Sequence, residues 1–311
     1  MKYFLIFFII VQFSNCTKAK KPVITDSLRE DAIQVLVNSL ENASEWEKVH
    51  AAEYLLNLGY TDNIRKIFLN EEGKLGSEFY YRIGIWRVLY QVTSKANEKD
   101  QWLDSIARVF KITTSPDRIH AAETLAKLKK SPTSFSVSST DSILNSNHNS
   151  LWIFTYWGTA YSSEEDMLRV KNKLIDIILY NNESDDIRNF AMYALFKMKN
   201  LDKENWNLLF DKLLVESNNQ YLISCILRNT PMNLIMEERV ILQKKKVEKK
   251  IVNNKNENHS MIIDTYQQIG NEDDILFLTK IMESKNEYHI ENKLAAANAI
   301  LSIEKKLKEI D

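Results

Sequence analysis

The stretch Glu47-Lys48-Val49-His50-Ala51-Ala52-Glu53-Tyr54-Leu55 decides how the chain is read. It returns as Asp117-Arg118-Ile119-His120-Ala121-Ala122-Glu123-Thr124-Leu125. Weaker copies are Ile187-Arg188-Asn189-Phe190-Ala191-Met192-Tyr193-Ala194-Leu195 and Asn292-Lys293-Leu294-Ala295-Ala296-Ala297-Asn298-Ala299-Ile300. The basic residues stand at 48, 118, 188 and 293, so the intervals are two, two and three times 35. A fixed period of this length is the signature of stacked repeats, each too small to bury its own apolar face.

Working outward, the 311 residues resolve into helical pairs from about residue 26 onward. Leu28, Ala32, Val35, Leu36 and Leu40 mark a helical face over 26–41. Ser44 with Glu47 reads as a capping box for the next helix, and Gly59 as its left-handed stop. Further pairs fall at 62–70 with 77–92, and 98–112 with 116–129, the latter opening on Ser115 as cap and Pro116. Residues 130–150 are less regular, with one short helix at 140–145 before another at 150–160. Pairs then resume at 163–180 with 184–199, 202–217 with 219–229, 231–248 with 255–269, and 271–284 with 288–308. Second helices start near 48, 82, 118, 152, 188, 223, 258 and 293, giving eight repeats. Only 6 glycines and 4 prolines interrupt the chain, as an all-helical fold requires.

The Lys48-Val49-His50-Ala51-Ala52-Glu53 and Arg118-Ile119-His120-Ala121-Ala122-Glu123 motifs resemble the second helix of HEAT-type repeats. So does Ile187-Arg188 with Ala191, Ala194 and Leu195. The resemblance spans about 26–308 and implies an all-α, right-handed α-solenoid of about eight HEAT-like helix pairs. The period is shorter than the roughly 40–47 residues usual for that family. The Trp-x-x-Leu-Gly-x-x-Tyr pattern of tetratricopeptide repeats is absent. Tyr81-Arg82-Ile83-Gly84-Ile85-Trp86-Arg87-Val88-Leu89 also looks like HEAT segments that accompany sugar-handling proteins.

On one helix Ala51, Leu55 and Leu58 face the core, whereas Trp46, His50, Glu53 and Asn57 form a separate stripe. Carried along the repeat, the His50 and Glu53 positions become Gly84 and Arg87, His120 and Glu123, Phe154 and Trp157, Phe190 and Tyr193, and Cys225 and Arg228. In a solenoid such a row lines the concave side. The candidate binding residues are therefore His50, Glu53, Arg87, His120, Glu123, Phe154, Trp157, Phe190 and Tyr193. Phe154, Trp157, Phe190 and Tyr193 are expected to be partly exposed together as an aromatic patch. The competing reading packs these positions at the edge of the core.

The two His-x-x-Glu pairs raise the question of a metal. Two repeats of packed helices separate them by about 16–20 Å, and each alone offers two ligands where zinc takes three or four. No metal, no cofactor and no catalytic residue is assigned; nucleophile elbow, phosphate loop and paired-cysteine motifs are all missing. Charges balance at 41 basic against 42 acidic, which gives no electrostatic reason to bind nucleic acid.

The first residues stand apart. Met1-Lys2-Tyr3, the apolar run Phe4 to Phe13 and Ser14-Asn15-Cys16 read as a secretory signal, its apolar core too short to span a bilayer. Phe13-Ser14-Asn15-Cys16 resembles the loose lipobox of Bacteroidetes lipoproteins, with Phe for Leu and Asn for Gly or Ala. The organisation that follows is a signal peptide at 1–15, a lipidated Cys16 with tether at 16–25, and the repeat domain at 26–311. The alternative is an ordinary secreted protein in which Cys16 is incidental. Together these features suggest a non-enzymatic binding or scaffold lipoprotein of the bacterial envelope, lipid-anchored and extracytoplasmic, on the periplasmic or outer surface. Its partner would be another envelope protein or, alternatively, a glycan, as an accessory of glycan degradation or sugar uptake. An enzyme is the third choice.

Overall fold

The computed structural model describes residues 24–74, 79–179, 183–199, 201–216, 220–285 and 287–310. The signal segment, Cys16 and nearly all of the tether lie outside them. Among the described residues every regular element is a helix.

In chain order these are α1 (Asp26–Asn42), α2 (Glu45–Leu58), α3 (Ile64–Gly73), α4 (Phe79–Val92), α5 (Ala96–Lys111), α6 (Arg118–Lys127), α7 (Val137–Leu144), α8 (Ser150–Thr159) and α9 (Glu164–Leu179). They continue as α10 (Asp185–Met198), α11 (Lys203–Glu216), α12 (Gln220–Arg228), α13 (Glu238–Asn253), α14 (Ser260–Ile263), α15 (Tyr266–Ile269), α16 (Ile275–Glu283) and α17 (Ile290–Ile310). The irregular stretch around 130–150 is a repeat after all: a 3-10 turn at Pro132–Ser134 and the short α7 serve as its first helix. The expected helix over 255–269 is broken into α14 and α15.

The repeated motif has a physical basis. Its alanines are fully buried: Ala51, Ala121, Ala191 and Ala295 let second helices pack side by side. Its basic residue reaches back to the end of the preceding helix. Arg118 Nε donates to the Phe110 carbonyl at 2.8 Å, and Arg188 Nε to the Ile178 carbonyl at 2.9 Å. Both carbonyls lie in a last turn, where helix geometry leaves acceptors unsatisfied. Lys48 instead pairs with Glu71 at 3.1 Å.

Several caps differ from expectation. Gly59 takes the left-handed conformation at φ 92° as anticipated. Ser44 occupies the cap position of α2 without a side-chain hydrogen bond, so the capping box with Glu47 does not form. The third repeat starts its helix at Arg118 rather than Pro116, with Asp117 as cap residue. Asp117 is completely buried there and takes a two-pronged ion pair from Arg82, with Nε to Oδ2 at 2.8 Å.

The stack of pairs bends until its ends meet. Second helices contact each other in the order α2, α4, α6, α8, α10, α12, α14 with α15, then α17, and α17 returns to pack on both α1 and α2. Arg29 of α1 is ion-paired with Glu304 of α17. His50 Nδ1 lies 2.9 Å from Glu291 Oε1, again joining the first repeat to the last. The concave face expected of an open stack is thus the inside of a closed ring.

Candidate functional site: the central cavity of the ring

Because each second helix presents the same face inward, closure gathers their side chains around one central space. A cavity of about 410 Å³ lies there, lined from α2, α6, α8, α10, α12 and the α14 segment. His50, Glu53, His120, Glu123, Phe154, Phe190 and Tyr193 all border it. Seven of the nine candidate residues therefore share one cavity. A smaller space of about 160 Å³ lies further along the same helices, bordered by Trp157, Gln91 and Tyr161 among others. Glu53, Asn57, Lys127 and Lys197 face both spaces.

Two of the nine candidates are placed differently. Arg87 is 1% exposed and sits behind the wall. It holds Glu53 with two bonds, Nε to Oε1 at 2.5 Å and the terminal nitrogen to Oε2 at 3.1 Å, and donates to Thr124 Oγ1 at 3.1 Å. It braces the site instead of offering a free guanidinium. Trp157 is 0% exposed and its indole N–H donates to Tyr161 Oη at 3.1 Å. The expectation of a shared, partly exposed aromatic patch is corrected accordingly. Phe154 (5% exposed) and Trp157 are buried, while Phe190 and Tyr193 are half-buried. The four rings nevertheless form one cluster, with Phe154 edge-on to Phe190 at 5.3 Å and Trp157 edge-on to Tyr193 at 6.0 Å. Edge-to-face geometry of this kind fixes ring positions. Three of the four still present a surface to the cavity.

Ionic groups are interleaved with these aromatic rings. Glu123 pairs with Lys127 at 2.9 Å, and Tyr193 Oη donates to the same carboxylate at 3.2 Å. Across the ring, Tyr54 Oη donates to Asp264 Oδ1 at 2.8 Å, and Arg228 reaches Asp264 Oδ2 at 3.4 Å. Burial alone would push the Glu53 and Glu123 carboxyls up. The charges of Arg87 and Lys127 outweigh it, and both carboxyls are held down at about 2. Tyr193 is pushed up to about 12, chiefly by burial. Lys197 goes the other way: burial, then the charges of Arg228 and Lys127, lower it to about 8. No ion pair is formed by Lys197 among the described residues; its ammonium lies over the rings of Phe196 at 5.3 Å and Tyr193 at 5.6 Å.

Neither histidine of the His-x-x-Glu pairs hydrogen-bonds to the glutamate of its own pair. His50 turns to Glu291, and His120 packs its ring between Trp46 at 5.2 Å and Tyr80 at 5.5 Å. Gly84 makes this possible. It occupies the repeat position equivalent to His50 and His120, and a Cβ there would lie 2.8 Å from Val49 and 2.9 Å from Trp46. Among the described residues no three His, Cys, Asp or Glu side chains converge as metal ligands. Cys225 is buried, and its thiol is pushed up to about 11 by burial, which suits a packing role. No described helix is long and apolar enough to cross a membrane.

Sequence reasoning missed Lys127, Lys197 and Asp264. The first two were within reach: one helical turn beyond Glu53, Arg87, Glu123, Trp157 and Tyr193 stand Asn57, Gln91, Lys127, Tyr161 and Lys197, and these five line the smaller space. Asp264 follows a four-residue helix in a repeat with no motif to fix its frame.

No family model matches the chain, and no curated protein matches it. Among solved structures it is similar to an engineered protein known from its crystal structure, at 14% identity over 89% of this chain and 83% of that one, with a TM-score of 0.33. At that score the likeness carries no argument about fold or function.

Proposed function

We propose that this chain is a non-enzymatic binding protein that takes a compact ligand into the central cavity of its ring. The observation that carries the reading is the cavity itself: about 410 Å³, lined by aromatic rings and fixed ion pairs in contact with one another. That volume lies in the range of small-molecule sites, roughly 300–1,000 Å³, and the lining combines apolar surface with a few placed polar groups. Of the two partners suggested by the sequence, an envelope protein and a glycan, the inward-facing row favours the compact one. A flat protein partner would need residues that face outward.

The two paired carboxyls are not themselves suited to general acid–base work. Efficient general acid–base groups titrate near the working pH. Glu53 and Glu123, held at about 2 and already paired, are poorly suited to exchange protons at neutral pH. The helix pairs and their basic-residue motif support membership of the HEAT-like repeats in a ring-closed form. The signal segment supports export and lipid attachment at Cys16, hence an extracytoplasmic site at the bacterial envelope. A Cys16→Ala variant should lose acyl labelling and leave the membrane fraction; continued acylation would sink that part.

The binding role is tested by thermal-shift screening of the full chain against neutral sugars, acidic sugars and short peptides. A stabilising ligand whose effect is lost in Phe190→Leu supports the cavity. A ligand or envelope protein bound equally by that variant places binding elsewhere.

A further inference from the structure

We infer that the ligand is an acidic sugar, a hydroxylated ring bearing one carboxylate, with the carboxylate on Lys197 and the ring against Phe190 and Phe154. The inference rests on the reading of the central cavity as the binding site.

Charge sets the first requirement. The cavity wall carries three cations, Lys127, Lys197 and Arg228, and three carboxylates, Glu53, Glu123 and Asp264; directly behind it Arg87 braces Glu53 and Glu291 holds His50. Each carboxylate is already taken, Glu53 by Arg87, Glu123 by Lys127 and Asp264 by Arg228. Lys197 is left over, half-buried and beside two other cations. A desolvated, unpaired ammonium is costly unless something neutralises it. One anionic group on the ligand would do so, and a dianion would exceed what the wall offers. Arg228, 5% exposed, adds a second sign of an incomplete site, since its Nε is buried with no hydrogen-bond acceptor.

The remaining lining sets the second requirement. Four polar groups on the cavity wall make no hydrogen bond with described residues: His50 Nε2, the Asn57 amide, the His120 ring nitrogens and Ser260 Oγ. His50 Nδ1 is fixed by Glu291, so its other nitrogen is presented in a set direction. A simple aromatic acid would satisfy Lys197 and make no use of these groups, which stay open to water. A ring with several hydroxyls matches them, and its C–H face matches the aromatic rings.

The test is calorimetric titration of the full chain with sodium glucuronate, glucose and benzoate, on wild type and on Lys197→Met, Lys197→Arg and Phe190→Leu. Glucuronate should bind at least about tenfold more tightly than either control. Lys197→Met should bring glucuronate down to the level of glucose, and Lys197→Arg should restore most of the difference. Equal binding of glucuronate and glucose, or no change in Lys197→Met, overturns the anionic requirement. Benzoate binding as well as glucuronate overturns the sugar. No binding of any probe at millimolar concentration overturns the inference as a whole. Phe190→Leu separates this from the reading beneath it: a probe that binds wild type and variant alike shows that the cavity is not the site.

Discussion

Lys197 sets a stability cost against a binding role, and the sign can be worked out. Its ordinary value of 10.5 is lowered to about 8 in the fold. Between those values the unfolded chain binds the proton and the folded chain does not, so stability rises with pH across that window. Below pH 8 the buried charge is a constant penalty. Lys197→Met should therefore melt higher than wild type at pH 7, by on the order of 1–2 kcal/mol after allowance for its partial exposure. The gap should close as pH rises from 8 towards 10.5, which melting curves across that range would check. Glu53 and Glu123 give a slope of the same sign in a lower pH window, but there the charged form is the stabilised one. Their folded values, near 2 against an ordinary 4.5, give stability that is full above 4.5 and lost as pH falls towards 2. Arg87→Met leaves Glu53 buried without its partner and should cost about 3–5 kcal/mol; denaturant unfolding reads this directly. Neither effect was visible in the sequence. Glu53, Arg87 and Thr124 come from three successive repeats, and one repeat's sequence does not say which residue of the next it will meet.

At the scale of the helix the sequence was far more informative. The 35-residue period, the helix pairs and the alanine face all follow from local spacing, because side chains three and four apart share a face whatever lies beyond them. Ala121 is completely buried, as its place in the motif requires. Ala121→Leu should overpack α6 against its neighbours and cost about 1–3 kcal/mol. Glu123, two residues on, lies on the inward stripe and not on the packed face. In the ring it is locked to Lys127 and Tyr193, so Glu123→Gln should also destabilise. Comparative melting of the two variants distinguishes a packed position from a paired one. The broken caps mark where local reading ran out. α6 starts at Arg118 with Asp117, not Ser115, as its cap residue, and Arg82, a repeat earlier, holds the Asp117 carboxylate at 2.8 Å.

For the molecule as a whole, spacing yields the number of repeats but not their curvature. Whether eight pairs make an arc or a circle depends on small rotations summed over every interface, and no single stretch of sequence carries that sum. The aromatic row shows how much neighbouring repeats decide: Phe154 is covered by Trp157 of its own helix and by Phe190 and Tyr193 of the next repeat. Closure removes the terminal repeats at which a stacked array ordinarily frays. The Arg29–Glu304 pair and the α1–α17 contact do more than complete the circle. They make the order of repeats cyclic, so that the point at which the polypeptide starts is a matter of history and not of architecture. A circular permutant with residue 310 linked to residue 24 and new ends opened at 146–148, between α7 and α8, should fold with unchanged circular dichroism and the same ring of neighbours. Failure to fold would mean that one junction is indispensable. Success would make each of the eight interfaces a place where the ring can be opened.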